Sequence, residues 1–415
     1  LNNNISVKKH DPYEALRFPE FRNFNIARLC ITIASQMQAV IVGWQIYEIT
    51  KDPLSLGLIG LAEAIPSICT LIFAGHITDT NDRKKIVMTS VILMTICSIL
   101  LLIVSTDGIE VLYSNKVLAI YSIIFLSGIG RGFSSPSFFA FVAQLVPKES
   151  LPNAITWNTS TWQTGAVTGP ALGGLMYGFI GAVQTYSIIV LFWIIAIILI
   201  STIKKKPIPE FVALLSLKEK LTSGLKFILE KKIILGAISL DLFAVLFGGA
   251  VALLPIFAGE ILFVGPEGLG MLRAAPSVGA VTMALLMTRR PITGNAGRNL
   301  LIGVFGFGIC IVIFGLSKSF YLSLVILCFS GAFDSMSVVI RSTVIQLLTP
   351  DNMKGKVSAV NSMFIGSSNE IGAFESGVAA KLMGTVPSVI FGGLMTLIIV
   401  TCVTIFSPRL RNLKL

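Results

Sequence analysis

The sequence predicts an all-α membrane protein with 12 transmembrane helices in two pseudo-symmetric six-helix bundles. Three observations lead there. The 415 residues are 54% hydrophobic and only 13% charged, with a mean hydropathy of +0.84, whereas a water-soluble domain carries about 25% charged residues. Stretches of the roughly 20 apolar residues that cross a hydrocarbon core recur along the whole chain, separated by short polar breaks. A set of residues in the first half also returns in the second at a fixed spacing.

In chain order the predicted spans are 26–48, 55–77, 86–105, 117–145, 153–179, 183–203, 233–258, 267–288, 299–317, 321–347, 356–380 and 386–406. Lys and Arg orient them. Lys8, Lys9, Arg17, Arg22, Arg83, Lys84, Lys85, Lys148, eight lysines between Lys204 and Lys232, Arg289, Arg290, Arg298, Lys354, Lys356, Arg409, Arg411 and Lys414 fall on one side of the predicted spans. Lys51, Lys116 and Lys318 fall on the other. The positive-inside rule then predicts both termini in the cytoplasm. The net charge of +11 is thus a topology signal, and no nucleic-acid partner is expected, because no soluble domain interleaves basic with aromatic residues.

Enzyme and metal chemistry find little support. Cys30, Cys69, Cys97, Cys310, Cys328 and Cys402 lie in or at the ends of spans without C-x-x-C pairing and read as small buried hydrophobes. His10 and His76 are too few and too far apart to suggest a metal site. No nucleophile–base pair can be assembled, so neither catalysis nor a cofactor is expected.

The division predicted is 1–203, a linker 204–232, and 233–415. Within the linker, Leu214, Leu217, Leu221, Leu225 and Ile228 share one helical face with lysines opposite. This is an amphipathic segment suited to the inner leaflet, or equally a solvated tether. EAIPS at 63–67 corresponds to RAAPS at 273–277, an offset of 210. Ser127-Gly128, Pro147, Asn158, Gly169 and Gly174 correspond to Ser330-Gly331, Pro350, Asn361, Gly372 and Gly377, each at an offset of 203. The constant spacing predicts two related bundles facing a central cavity.

The fifth span carries TGAVTGPALGGLMYG at 164–178. Each interior glycine costs about 1 kcal/mol and the proline about 3 kcal/mol of helix propensity. Such density predicts close helix approach and a bendable segment where the halves meet. Gly165, Gly169, Pro170, Gly173 and Gly174 form G-x-x-x-G-P-x-x-G-G, which resembles the antiporter signature of major facilitator superfamily exporters. GHITDTNDRKK at 75–85 resembles the same superfamily's loop between its second and third helices, with Gly75, Asp79, Arg83 and Lys84 in register. Asp82 stands where the family usually has glycine, and aspartate tolerates a left-handed turn. The stretches 43–66 and 270–280 resemble the branch containing enterobactin-type siderophore exporters and macrolide efflux pumps. The resemblance implies a bacterial inner-membrane, monomeric exporter of an amphipathic small molecule driven by protons. It also implies that Asp79 latches an outward-facing state against a helix N-terminus. The alternative is a uniporter, or a lipid, metal or metabolite transporter of the same fold without proton coupling.

Charges at membrane depth are expensive and therefore candidates for mechanism. They are Glu63, Arg131, Asp241, Arg273, Asp334, Arg341, Glu370 and Glu375. Asp334, Glu63 and Asp241 are the proton-coupling candidates, in that order. The ranking follows the repeat, which matches Arg131 to Asp334 and Arg273 to Glu63 but offers Asp241 no cation. Arg131, Arg273 and Glu370 are the charge-pair candidates, and Arg28 reads as a cytoplasmic anchor. Gln36, Gln38, Asn158, Trp162, Asn361 and Ser368 are expected to line the substrate cavity.

Overall fold

The computed structural model describes residues 11–106, 115–207, 217–289 and 294–414. Leu214 lies outside the described residues, as do the surroundings of Gly75 and the side chains of Asp79, Leu217 and Leu221. Helix α1 spans Pro19–Thr50, α2 Pro53–Thr80, α3 Arg83–Ser105, α4 Lys116–Val142 and α5 Leu151–Ser201. Helix α6, Leu217–Glu230, lies in the linker. The second half holds α7 (Lys232–Phe247), α8 (Gly265–Arg289), α9 (Ala296–Leu316), α10 (Phe320–Leu348), α11 (Asp351–Met383), α12 (Thr385–Phe406) and the short α13 (Pro408–Arg411).

Ten of these segments are apolar and long enough to cross a membrane, and two features reconcile ten with the twelve crossings. The continuous helix α5 reverses at Gly181, whose φ of 81° and ψ of 178° suit glycine. Asn25 bonds Thr161 and Asn23 bonds Thr202 near the start of α1, while Glu48 takes Tyr177 and Gln45 takes Tyr186 near its end. The two limbs of α5 therefore run antiparallel, as the fifth and sixth crossings. Helix α11, the eleventh crossing, is too polar to stand out by hydropathy. The protein is a twelve-helix, two-bundle membrane protein.

Punctuation along the chain sets the helix ends. Asp52 caps α2 by accepting from Leu54 N, with Pro53 at the first helical position. Asp82 is not in a left-handed turn. It is extended, at φ −64° and ψ 107°, and caps α3 by accepting from Lys84 N at 3.0 Å and Lys85 N at 3.4 Å. The adjacent cations of the loop motif serve helix C-termini: Arg83 donates to Ala140 O at 2.9 Å, and Lys84 donates to Ser201 O and Ile203 O.

The sequence repeat is also a packing repeat. A Cβ added to Gly128 would lie 2.6 Å from Pro66 Cγ, and one added to Gly331 would lie 2.6 Å from Pro276 Cα. The preceding serines return their hydroxyls to Ile124 O and Leu327 O in the same way. Pro147 and Pro350 precede the fifth and eleventh crossings alike.

The expected span 233–258 is not continuous. Helix α7 stops at Phe247, and after Gly248-Gly249 the chain proceeds through short 3-10, α and π turns from Ala250 to Ile261. Gly249 packs against the α11 backbone, where a Cβ would stand 2.8 Å from Gly372 O. In the linker helix, Ile228 is buried with Ile234, Ile238, Ile345, Val357 and Val360. Leu225 and Leu229 stay exposed, so this face docks partly on protein. Cys69 and Cys402 are exposed, unlike the buried Cys30, Cys97 and Cys310.

Candidate functional site

A cavity of about 680 Å³ lies between the bundles, within the range of small-molecule sites, roughly 300–1,000 Å³. Its far end is sealed, on the face opposite the basic connections, by two glycine crossings. Helix α5 meets α8 where a Cβ on Gly174 would be 2.6 Å from Gly270 Cα, and α2 meets α11 where one on Gly57 would be 3.0 Å from Gly377 Cα. Gly174 and Gly377 are repeat mates, so the seal is itself pseudo-symmetric.

The other glycines of the fifth-span motif do not lie at the seam, contrary to expectation. Cβ atoms on Gly165, Gly169 and Gly173 would fall 2.7 Å from Thr32 Cβ, 2.6 Å from Gln36 Cβ and 2.9 Å from Met37 Cα, all on α1 of the same bundle. Pro170 is buried between the two contacts, and its carbonyl faces Gly270 across the seam. The motif thus fastens α5 to α1 along one face and presents Gly174 to the other half.

Polar contacts reinforce the closed end. Lys381 Nζ donates to Asp52 Oδ1 at 2.8 Å, and Tyr47 donates to Glu260 at 3.2 Å, both between halves. The hydrogen bond from Lys381 holds the Asp52 carboxyl below the usual aspartate range. With its value lowered in the closed form, Asp52 contributes closure fully above its free value and loses it only as pH falls through the lowered value. The Asp52–Lys381 contribution to closure is therefore expected to be flat with pH between about 5 and 8, given an ordinary Asp value near 3.9. Since Lys381 is half exposed, Lys381→Gln is expected to weaken closure by only about 0.2–1 kcal/mol. A labelling assay of an introduced cysteine beside Gly57 reads this. If Lys381→Gln changes the pH dependence of labelling between about pH 5 and 8, the pair does not act as assigned.

Four charges face one another inside. Arg131 Nη1 on α4 lies 2.6 Å from Glu63 Oε1 on α2 and 3.5 Å from Glu370 Oε1 on α11. One guanidinium nitrogen thus serves carboxylates from both halves. Arg273 on α8 lies in the field of the same two carboxylates and makes no ion pair among the described residues. Its Nε is buried without a hydrogen-bond partner among the described residues. Asp334 lines the cavity, but its repeat mate Arg131 is paired elsewhere. Asp241 stands outside the cavity lining and forms a buried ion pair with Arg341 on α10. The repeat could not show this cation, because the pairing lies between α7 and α10 within one bundle.

Of the expected lining residues, Gln36, Gln38 and Trp162 do border the cavity, though Gln38 Oε1 also accepts from Ser98 at 2.6 Å. Ser368 is buried and turns its hydroxyl back to Ile365 O. Asn158 and Asn361 lie outside the lining, each with a buried Oδ1 that has no partner among the described residues. Arg28 is no plain anchor: it lines the cavity and stacks 4.4 Å above the Phe138 ring. The sequence signal missed here is Gly248-Gly249, whose interrupted backbone borders the cavity through Ala252. Non-helical backbone at membrane depth is tolerated where it lines a cavity.

A two-bundle fold around a charged, one-sided cavity defines a multi-pass membrane transporter of the major facilitator type. The chain belongs to the family described as Transmembrane secretion effector, whose signature matches residues 10–414. It is 24% identical over 396 residues to an enterobactin exporter, EntS, from Shigella boydii serotype 18, covering 95% of this chain and 94% of that one. Among solved structures it resembles a POT family transporter in complex with a thioalcohol-conjugated peptide, with a TM-score of 0.73 at 12% identity, covering 94% and 96% of the two chains. It also resembles a D-xylose–proton symporter, with a TM-score of 0.71 at 14% identity, covering 98% and 100%.

Proposed function

We propose that this secondary transporter exports a siderophore-like or drug-like amphiphile by proton-coupled alternating access. The observation that carries the reading is Arg131, held between Glu63 of its own half and Glu370 of the other within a cavity closed at one end. Residues 1–203 rock against 233–415, and the glycine crossings part as the far end opens. As the halves separate, Arg131 keeps Glu63 and releases Glu370, which then has nearby only Arg273 of its own half, unpaired among the described residues. A carboxylate with less cationic compensation in a low-dielectric site takes up a proton more readily. Asp334, facing the same cavity, is the second carboxylate available for this exchange.

The cavity's mixed lining supports an amphipathic substrate. Gln36, Trp162 and Arg28 stand among apolar side chains such as Ile31, Ile59 and Phe307. The relatives named as enterobactin exporters support export and a siderophore-like cargo. The bacterial relatives named as enterobactin exporters support a bacterial inner-membrane location; the charge asymmetry supports both termini and the basic face in the cytoplasm, and the cavity then opens inward in this state. Asp79 acts as the latch of the opposite state, and the protein works as a monomer.

The test is uptake into everted vesicles, with enterobactin and a hydrophobic dye as probes and an imposed pH gradient. Gradient-dependent accumulation is expected. Equal movement with and without the gradient would overturn proton coupling and favour a uniporter.

A further inference from the structure

A second cavity, of about 840 Å³, opens at the basic face between α9, α12 and α13, away from the charged central cavity. Its polar rim carries Arg298, Arg411 and Lys414, with no acidic residue in the lining. All three cations are exposed, and none makes an ion pair among the described residues. Its walls are mostly apolar, with Thr401 and Thr404 among Leu301, Ile302, Phe305, Val400 and Ile405, and Ile302, Phe305 and Ile405 are also exposed where two membrane-spanning helices end.

The chain holds this arrangement together. Leu410 is fully buried, and Gly297 N donates to Leu413 O at 3.0 Å, so the last turn of the chain is fastened to the start of α9. Arg411 and Lys414 are thereby held at one rim with Arg298. A Cβ on Gly297 would collide with the Leu410 carbonyl, so glycine is what permits this approach.

We propose that this cavity binds an anionic phospholipid of the surrounding bilayer, with its phosphate among Arg298, Arg411 and Lys414 and an acyl chain along Ile302, Phe305 and Ile405. Three cations without a counter-charge among the described residues, above an apolar groove that faces the hydrocarbon, match both parts of such a molecule. A free anion would use the rim alone. A basic pocket between membrane helices is a recurrent means of holding anionic headgroups.

The test is native mass spectrometry of the full chain, delipidated in detergent and titrated with phosphatidylglycerol, phosphatidylethanolamine or inorganic phosphate. Wild type is expected to retain phosphatidylglycerol in preference to both other probes. R298Q/R411Q/K414Q is expected to weaken that binding about 100-fold, with protein yield and folding unchanged because the side chains are exposed. Should the triple variant fold poorly, Arg298→Gln alone and rising salt in wild type are each expected to lower retention. Equal retention by the variants, equal binding of phosphatidylethanolamine, or phosphate binding as tight as the lipid's would each overturn the proposal.

Discussion

Gly174→Leu is expected to shift the access equilibrium about 5- to 150-fold away from the state described here, corresponding to a penalty of roughly 1–3 kcal/mol for overpacking. The side chain would grow into the backbone of Gly270, where even a Cβ stands 2.6 Å from Gly270 Cα. This contact joins the two halves, so the penalty falls only on the state in which that end is closed. Cysteine-accessibility labelling on the two faces of the membrane should show the far end opening, with folded protein still present. Gly169→Leu makes an informative comparison. Its clash is with Gln36 and Ile33 of the same bundle, so the penalty accompanies both states. It should lower thermal stability and folded yield without shifting accessibility. If both variants shift accessibility alike, the seam does not pass between Gly174 and Gly270.

Both glycines belong to one sequence motif, and their different roles show where sequence reading stops. The motif announces close approach, because glycines four apart have no other strong reason to recur in a costly place. It does not say which helix approaches. Gly165, Gly169 and Gly173 meet α1, while Gly174, one residue later, looks toward α8. The fold was legible at the level of bundles because hydropathy and a constant repeat offset survive local detail. Helix α11 covers the expected span 356–380 although its hydropathy is weak, and Asn361, Gly372 and Gly377 carry the repeat there. The break at Gly248-Gly249 was not foreseen, since apolar composition continues through it and only the paired glycines mark it.

The charged site was legible as a set of residues and not as a set of contacts. Burial cost alone picks out Glu63, Arg131, Arg273, Asp334 and Glu370. Repeat equivalence points to Arg131 with Asp334 and Arg273 with Glu63 as partners, and it misleads for a physical reason. Pseudo-symmetric positions occupy matching places in different bundles, whereas ion pairs form between neighbouring helices. Thus Arg131 finds Glu63 on α2 and Glu370 on α11, and Asp241 finds Arg341 inside its own bundle.

Arg131→Gln is expected to reduce gradient-driven export by about tenfold or more, because two carboxylates from opposite halves lose the cation they share. Removing one partner of a buried pair costs about 3–5 kcal/mol and of an exposed pair about 0–1 kcal/mol. Arg131 exposes half its side chain to the cavity, so its cost lies between these limits. Arg131→Lys keeps a single cationic nitrogen, and both contacts run through one nitrogen, Nη1, so this variant should recover most of the activity. Glu370→Gln leaves the Arg131–Glu63 pair intact and should spare downhill substrate exchange while uncoupling uphill export from the pH gradient. Because Arg131 and Glu370 act through one contact, the double variant should be little worse than Arg131→Gln alone. Proton movement and substrate flux in proteoliposomes, measured for the three single variants and the double, check these outcomes together. If the effects of Arg131→Gln and Glu370→Gln on coupling simply add, the shared cation is not the link between the halves, and Asp334 becomes the carboxylate to which coupling must be assigned.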